Sequence, residues 1–212
     1  MGVFLTAAII ASIIIILFLL NFYRDPERKI PKGNSIVSPA DGKIIRILKV
    51  KQNKSNSKIR ISKGIFGKIE TLTQDIAREC YVISIFMSPF DVHINRAPAD
   101  GKIISVRHEK GKFFAAFDLE KSLMNEKNEI LIENKIIGKI KVIQIAGFLA
   151  RRVICNVKKD EKLNKGQRIG KIVLGSQVSL ILPAKNVSIT AKRGQKVNAG
   201  KTIIAEIIKC QN

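Results

Sequence analysis

Residues 39–45 read PADGKII, and residues 98–104 read PADGKII again. In a Pro-x-Asp-Gly turn the proline presets φ and the aspartate side chain can bond the backbone just ahead of it. The glycine takes angles closed to other residues. The isoleucine pair that follows starts a strand, since β-branched side chains suit a pleated, half-buried surface. One turn-and-strand unit used twice predicts a pseudo-symmetric fold.

The runs around these turns agree. KIIRILKV (43–50), CYVISIFM (80–87) and KIKVIQIA (139–146) are short, rich in β-branched residues and bounded by Gly or Pro. Helical periodicity is missing after residue 24, apart from a brief segment expected around Asp118 to Asn128. The fold class is therefore mainly β (a β-rich α+β chain), with a pseudo-symmetric sandwich as its architecture. LPAKNVSITAKRGQKVNAGKTIIAEI (182–207) reads as a looser third copy of the unit. Its turn-strand-turn-strand spacing resembles a barrel-sandwich hybrid, the shape of lipoyl and biotinyl carriers. A carrier lysine is not expected, because Lys185 stands between Ala and Asn rather than beside Met or Asp.

Working back to the start, Val3 to Leu20 reads VFLTAAIIASIIIILFLL, without a charge. That length just crosses a hydrocarbon core, which takes about 20 residues. A cleaved signal peptide would want a basic start and a small-residue cleavage site, and neither is present. Residues 1–23 are expected to be an uncleaved membrane anchor. Arg24, Arg28 and Lys29 follow at once, so the positive-inside rule keeps residues 24–212 on the cytoplasmic side of the cell membrane.

Across its 212 residues the chain carries 38 Lys plus Arg against 17 acids, a formal charge of +21. Such an excess favours an anionic partner. The lysines are scattered, with no zinc-finger spacing, helix-turn-helix pattern or interleaved aromatics, so an anionic membrane surface is expected and nucleic acid is not. Cys80, Cys155 and Cys210 are isolated, with no CxxC pair, which gives neither a disulfide framework nor a metal site.

Chemistry has few candidates. The only histidines are His93, in FMSPFDVHINRAPADG, and His108, in VRHEKGKF. A base working near neutral pH is therefore one of these two. In KGQRIGKIVLGSQVSLILP, Gly175 and Ser176 sit between two strand-like runs. Taken alone, that pair reads as a glycine bulge.

Read together, FYRDPERKIP (22–31), IVSPADGKI (36–44), FMSPFDVHINRAPADG (86–101), NEKNEILI (125–132), IAGFLARRV (145–153) and KGQRIGKIVLGS (165–176) resemble the phosphatidylserine decarboxylase family, particularly its short form. The resemblance covers nearly the whole chain. It implies a proenzyme that cuts itself at Gly175–Ser176 into 1–175 and 176–212, two chains that remain a heterodimer, with a higher oligomer left open. Ser176 would attack the Gly175 carbonyl and end as a pyruvoyl group. That covalent cofactor would take the amine of phosphatidylserine as a Schiff base and release CO2, leaving phosphatidylethanolamine. The family's histidine and aspartate match His93 and Asp41, as base and orienting carboxylate. Asp100 repeats the context of Asp41 and stays an alternative. Two departures stand out. Gln177 follows the cut where short-form members have Arg, and Arg96 occupies the place of a second histidine in long-form members. Arg96 is accordingly a candidate for holding substrate by its charge. Two other classes remain beside this reading: a membrane adaptor without enzymatic activity, and a tethered nucleic-acid-binding module.

Overall fold

The computed structural model describes residues 2–51, 73, 75–111, 125–147, 152–173 and 176–208. Among the described residues one helix, α1 (Gly2–Phe22), precedes fourteen strands. Its mean hydropathy is 3.1 over the best window, and among the described residues it is the one helix long and apolar enough to cross a membrane. The hydroxyls of Thr6 and Ser12 donate to the carbonyls of Val3 and Ala8, at 2.9 and 2.8 Å, so both are satisfied inside the helix as a bilayer requires.

The strands are β1 (Ser35–Val37), β2 (Gly42–Lys51), β3 (Glu79–Met87), β4 (Ile94–Arg96), β5 (Gly101–Glu109), β6 (Lys127–Asn134) and β7 (Gly138–Ala146). They continue as β8 (Val153–Cys155), β9 (Lys162–Leu163), β10 (Arg168–Ile172), β11 (Ser176–Pro183), β12 (Val187–Ile189), β13 (Lys196–Val197) and β14 (Ile203–Ile207). Eight of them form one curled antiparallel sheet in the order β13-β2-β3-β11-β7-β6-β5-β9. Two three-stranded sheets, β1-β14-β12 and β4-β10-β8, lie across it. The core fills the space between: Ile44, Ile85 and Leu180 of the large sheet meet Ile36, Ile169 and Ile204 of the small ones, all fully buried. Because side chains alternate across a strand, the opposite face of β3, β7 and β11 carries a second apolar cluster of Val82, Ile143, Ile145 and Ile181.

The pseudo-symmetry runs through the described strands. The PADG turns bond each other reciprocally: Val37 N donates to Pro98 O, and Arg96 N to Pro39 O, both at 2.9 Å. Each copy feeds its strand, β2 or β5, and each strand bulges at the same place, after Ile44 and after Ile103. Each strand is edged by a two-residue partner, with Gly42 opposite Val197 in β13 and Gly101 opposite Leu163 in β9. The turn glycines are dictated by close approach. A Cβ on Gly42, which has φ +141°, would sit 2.1 Å from Phe86 O, and one on Gly101 would sit 2.6 Å from Glu133 O. The approximate axis passes between β7 and β11, where Val142 faces Leu180.

This symmetry corrects one expectation. Residues 187–207 are not a third PADG unit but the mate of residues 153–172. β12 and β14 pair in one copy as β8 and β10 do in the other. Of the brief helix expected over Asp118 to Asn128, residues 112–124 lie outside the described residues, and Lys127 and Asn128 belong to β6.

Candidate active site

Ser176 opens β11, fully buried, with Met87 of β3 on one side and Ala146 of β7 on the other. Alternation turns its side chain to the same face as Val178 and Leu180. Its hydroxyl donates to the sulfur of Met87 at 3.3 Å. A thioether is a weak acceptor, so the hydroxyl is buried without a strong bond to hold it. Leu174 and Gly175 lie outside the described residues.

A chain of buried amides leads to the same sulfur. Asn128 Nδ2 donates to Gln144 Oε1 at 2.9 Å, Gln144 Nε2 to Asn95 Oδ1 at 2.8 Å, and Asn95 Nδ2 to Met87 Sδ at 3.7 Å. Asn128 Oδ1 ends the chain without a partner among the described residues.

His93 follows β3 by a short loop and leads into β4, which β10 holds in the sheet. Its ring is buried, 4.3 Å from the ring of Phe22 at the end of α1. Nδ1 lies 2.8 Å from the main-chain oxygen of Asp91. A carbonyl only accepts, so Nδ1 carries the proton and the lone pair of the neutral ring is on Nε2. Nε2 is buried and has no partner among the described residues. Burial pushes the imidazole pKa down, outweighing the bond to Asp91 that pulls it up, so the ring is neutral at neutral pH. It borders a cavity of about 40 Å³ shared with Phe22, Tyr23, Lys171, Ile172 and Val173. That is room for water, and the cavity reaches the last described residue before the Gly175–Ser176 bond.

Asp41 is placed differently from expectation. One carboxylate oxygen accepts from Ala199 N at 2.7 Å and the other from Arg28 Nη2 at 2.8 Å. Among the described residues no hydrogen bond or ion pair joins it to His93. Burial raises its pKa, against the pull of the Ala199 amide and the Arg28 charge. Asp100, its symmetry mate, accepts from Lys165 N at 2.7 Å. Each aspartate thus clamps the turn before a left-handed glycine, Gly200 or Gly166. Arg96 donates to Gly166 O, Pro26 O and Asp25 Oδ1, fastening the segment that leaves α1. His108 lies on β5, partly exposed, 3.6 Å from Glu126. Gln177 points to the opposite sheet face and donates to Ser179 Oγ at 3.2 Å.

Ser176 is thus buried beside Met87, His93 borders a cavity that Val173 also lines, and Asp41 and Arg96 hold the segments of Arg28, Ala199 and Gly166. Sequence reasoning missed the Asp91 carbonyl, because any residue type supplies one. It also gave Phe22 no role, although FYRDPERKIP (22–31) begins with it. Asn95 and Gln144 did carry a signal, as amides inside runs otherwise fit for a core.

Comparison with known proteins decides the family. A profile described as phosphatidylserine decarboxylase matches residues 15–205, from the middle of α1 to β14. The chain belongs to the phosphatidylserine decarboxylase family. It is 44% identical over 199 residues to a putative archaetidylserine decarboxylase proenzyme of Methanocaldococcus jannaschii, covering 92% of this chain and 93% of the relative. It is 44% identical over 196 residues to the phosphatidylserine decarboxylase proenzyme of Chlorobium phaeobacteroides, covering 91% and 81%. The corresponding proenzyme of Chlorobium limicola is 41% identical over 202 residues, covering 95% and 84%. As a phosphatidylserine decarboxylase family member, the chain is an enzyme of the carboxy-lyase class.

Proposed function

We propose that the chain is a proenzyme that cuts itself before Ser176 and then removes CO2 from the serine head group of phosphatidylserine, giving phosphatidylethanolamine. The observation that carries this reading is a buried, weakly bonded Ser176 hydroxyl together with a buried His93 whose Nε2 has no partner among the described residues and whose cavity extends to Val173. A serine hydroxyl is a poor nucleophile until a base takes its proton, and His93 in this tautomer is such a base. Ser176 Oγ bonds to the Gly175 carbonyl carbon as the Gly175–Ser176 C–N bond breaks, and the hydroxyl proton passes through His93 to the freed nitrogen. Loss of the Ser176 α-proton then expels the Gly175 carboxylate. Water replaces the nitrogen, which leaves as ammonia, and a pyruvoyl group caps residue 176.

The surroundings of Ser176 fit that group, since it would lie at the start of a strand, fully buried, against the Met87 thioether, to which the Asn95 amide also donates. The pyruvoyl group supplies the electron sink for decarboxylation. His93 stands ready to hold or return a proton at Nε2, and Lys171 puts a positive charge at the cavity wall for the lipid phosphate. Asp41, matched to the family's orienting carboxylate, acts on this reading through the fold, by fixing the β13 turn and Arg28. Residues 1–175 and 176–212 stay together as a heterodimer. α1 attaches it to the cell membrane, with the domain on the cytoplasmic side and its lysines toward anionic lipid.

Intact-mass measurement of the purified protein tests the reading. Two chains are expected, 1–175 and 176–212, the second lighter than a serine-initiated peptide because a carbonyl replaces its amine and its hydroxyl is lost. Ser176→Ala should remain one chain and release no CO2 from phosphatidylserine vesicles. CO2 release by Ser176→Ala would overturn the reading. Parallel assays with archaetidylserine establish which lipid backbone is used.

A further inference from the structure

Phe90 sits on the loop between Met87, which touches Ser176, and His93. Its side chain is not in the core: Phe90 is 69% exposed. It stands edge-on to Phe18 of α1, with ring centres 6.3 Å apart. Arg24 Nη2 donates to its main-chain oxygen at 2.7 Å. The loop is fixed from within, since Asp91 Oδ2 accepts from both the amide and the hydroxyl of Ser88. Between Phe90 and α1 runs a groove of about 650 Å³, lined by Ile14, Ile15, Leu17, Phe18, Asn21 and Phe90. Asn21 is its one polar wall.

We propose that this groove seats one hydrocarbon chain of a bilayer phospholipid, so that the head group of the same molecule reaches the His93 cavity. The proposal rests on the reading that the substrate is a phospholipid, and it adds where the lipid tail lies. Three observations favour lipid as the occupant. The groove wall is continuous with α1 faces that are exposed along their length, from Val3 at 80% to Leu20 at 67%. Asn21 and Arg24 mark the polar boundary at the end of the helix. Phe18 lies one helical turn, about 5 Å, to the apolar side of that boundary, and Phe90 packs at its level. Finally, the groove and the His93 cavity flank consecutive residues of α1, with Asn21 in the first and Phe22 in the second.

The chain contains no tryptophan, so F90W introduces a single fluorescent probe. In the uncut Ser176→Ala chain, reconstituted in phosphatidylcholine–phosphatidylserine vesicles, F90W emission should be blue-shifted and strongly quenched when the lipid chains carry bromine. Blue-shifted emission that bromine leaves unquenched would mean that protein, such as a second copy of this chain, covers the groove. Red-shifted emission would mean water. Either result overturns the proposal. In the active enzyme, Phe90→Ala should raise KM several-fold more for long-chain than for short-chain phosphatidylserine, and Phe90→Leu should largely restore the ratio. An unchanged ratio overturns the proposal while leaving the decarboxylase reading intact. If the wild-type enzyme releases no CO2 from either lipid, the functional reading fails, and the bromine result alone decides the groove.

Discussion

The ring of His93 lies 4.3 Å from the ring of Phe22, so the last turn of the apolar helix forms a wall of the pocket around the imidazole. Phe22 is 4% exposed, unlike most of the helix before it. Phe22→Ala should lower stability by about 3 kcal/mol, typical of a buried Phe truncated to Ala. It should also admit water to the imidazole and move its pKa back up toward the ordinary value. The same contact separates two truncations: a chain starting at residue 17 should still cut itself, whereas one starting at residue 24 should not. Equal cutting by both would show that the wall is dispensable.

His93 should set the acid limb of self-cleavage. On the proposed reading the neutral ring is the base, and burial holds its pKa below the ordinary 6.5. The cutting rate of freshly translated chain should therefore stay level as pH falls through 6.5 and drop only at lower pH. Stability follows the same sign. Below 6.5 the unfolded chain takes up a proton that the native ring refuses. The stability present above 6.5 is thus lost as pH falls toward the native pKa. Unfolding of Ser176→Ala as a function of pH, with and without His93→Gln, isolates the effect. His93→Ala should leave mostly uncut chain and His108→Ala should process normally; the reverse would transfer the role to His108.

Asp41 and Asp100 give a matched pair of variants. Each loses a main-chain clamp on substitution by Ala, but Asp41→Ala also strands Arg28, whose side chain is only 14% exposed. The expected cost is about 1–3 kcal/mol for Asp41→Ala and less for the exposed Asp100→Ala. Asp41→Asn keeps an oxygen for Ala199 and should slow cutting only moderately. A fully stable Asp41→Asn chain that cuts as poorly as His93→Ala would mean that this carboxylate acts on the chemistry directly.

Gln144 joins two other amides in a core where water cannot substitute. Gln144→Leu fills similar volume but strands Asn95 Oδ1 and Asn128 Nδ2, at about 1–3 kcal/mol for each group left unpaired. Adding Asn128→Leu should recover part of the loss, because one orphan is then removed. Thermal unfolding of the Ser176→Ala background measures both steps.

The fold was legible where local chemistry is strict. PADGKII announced itself twice because a glycine must pass close to the Phe86 and Glu133 carbonyls, and nothing else fits. The partner repeat, 153–172 against 187–207, was misread because paired strands accept one aliphatic residue for another. Only scattered positions keep their identity, among them Val153 and Val187, Asn164 and Asn198, and Gly166 and Gly200. Ser176 and His93 stood out as rare residues in motifs. The tautomer of His93 did not, because a main-chain oxygen decides it. Nor did Arg28 and Ala199, the partners of Asp41, since a shared motif does not fix which neighbour a carboxylate meets.

The interleaving of the strands bears on what self-cleavage does to molecularity. β11 lies between β3 and β7, β13 edges β2, and β14 lies between β1 and β12. A cut before Ser176 would leave the shorter piece woven into all but the β4-β10-β8 sheet, with no surface along which it could slide free. Folding would happen while the polypeptide is continuous, but unfolding after the proposed cut would release two molecules. Thermal midpoints of the mature enzyme should therefore rise with its concentration, whereas those of uncut Ser176→Ala should not. A denatured mature enzyme must bring two partners together by diffusion before the central strand can be put back.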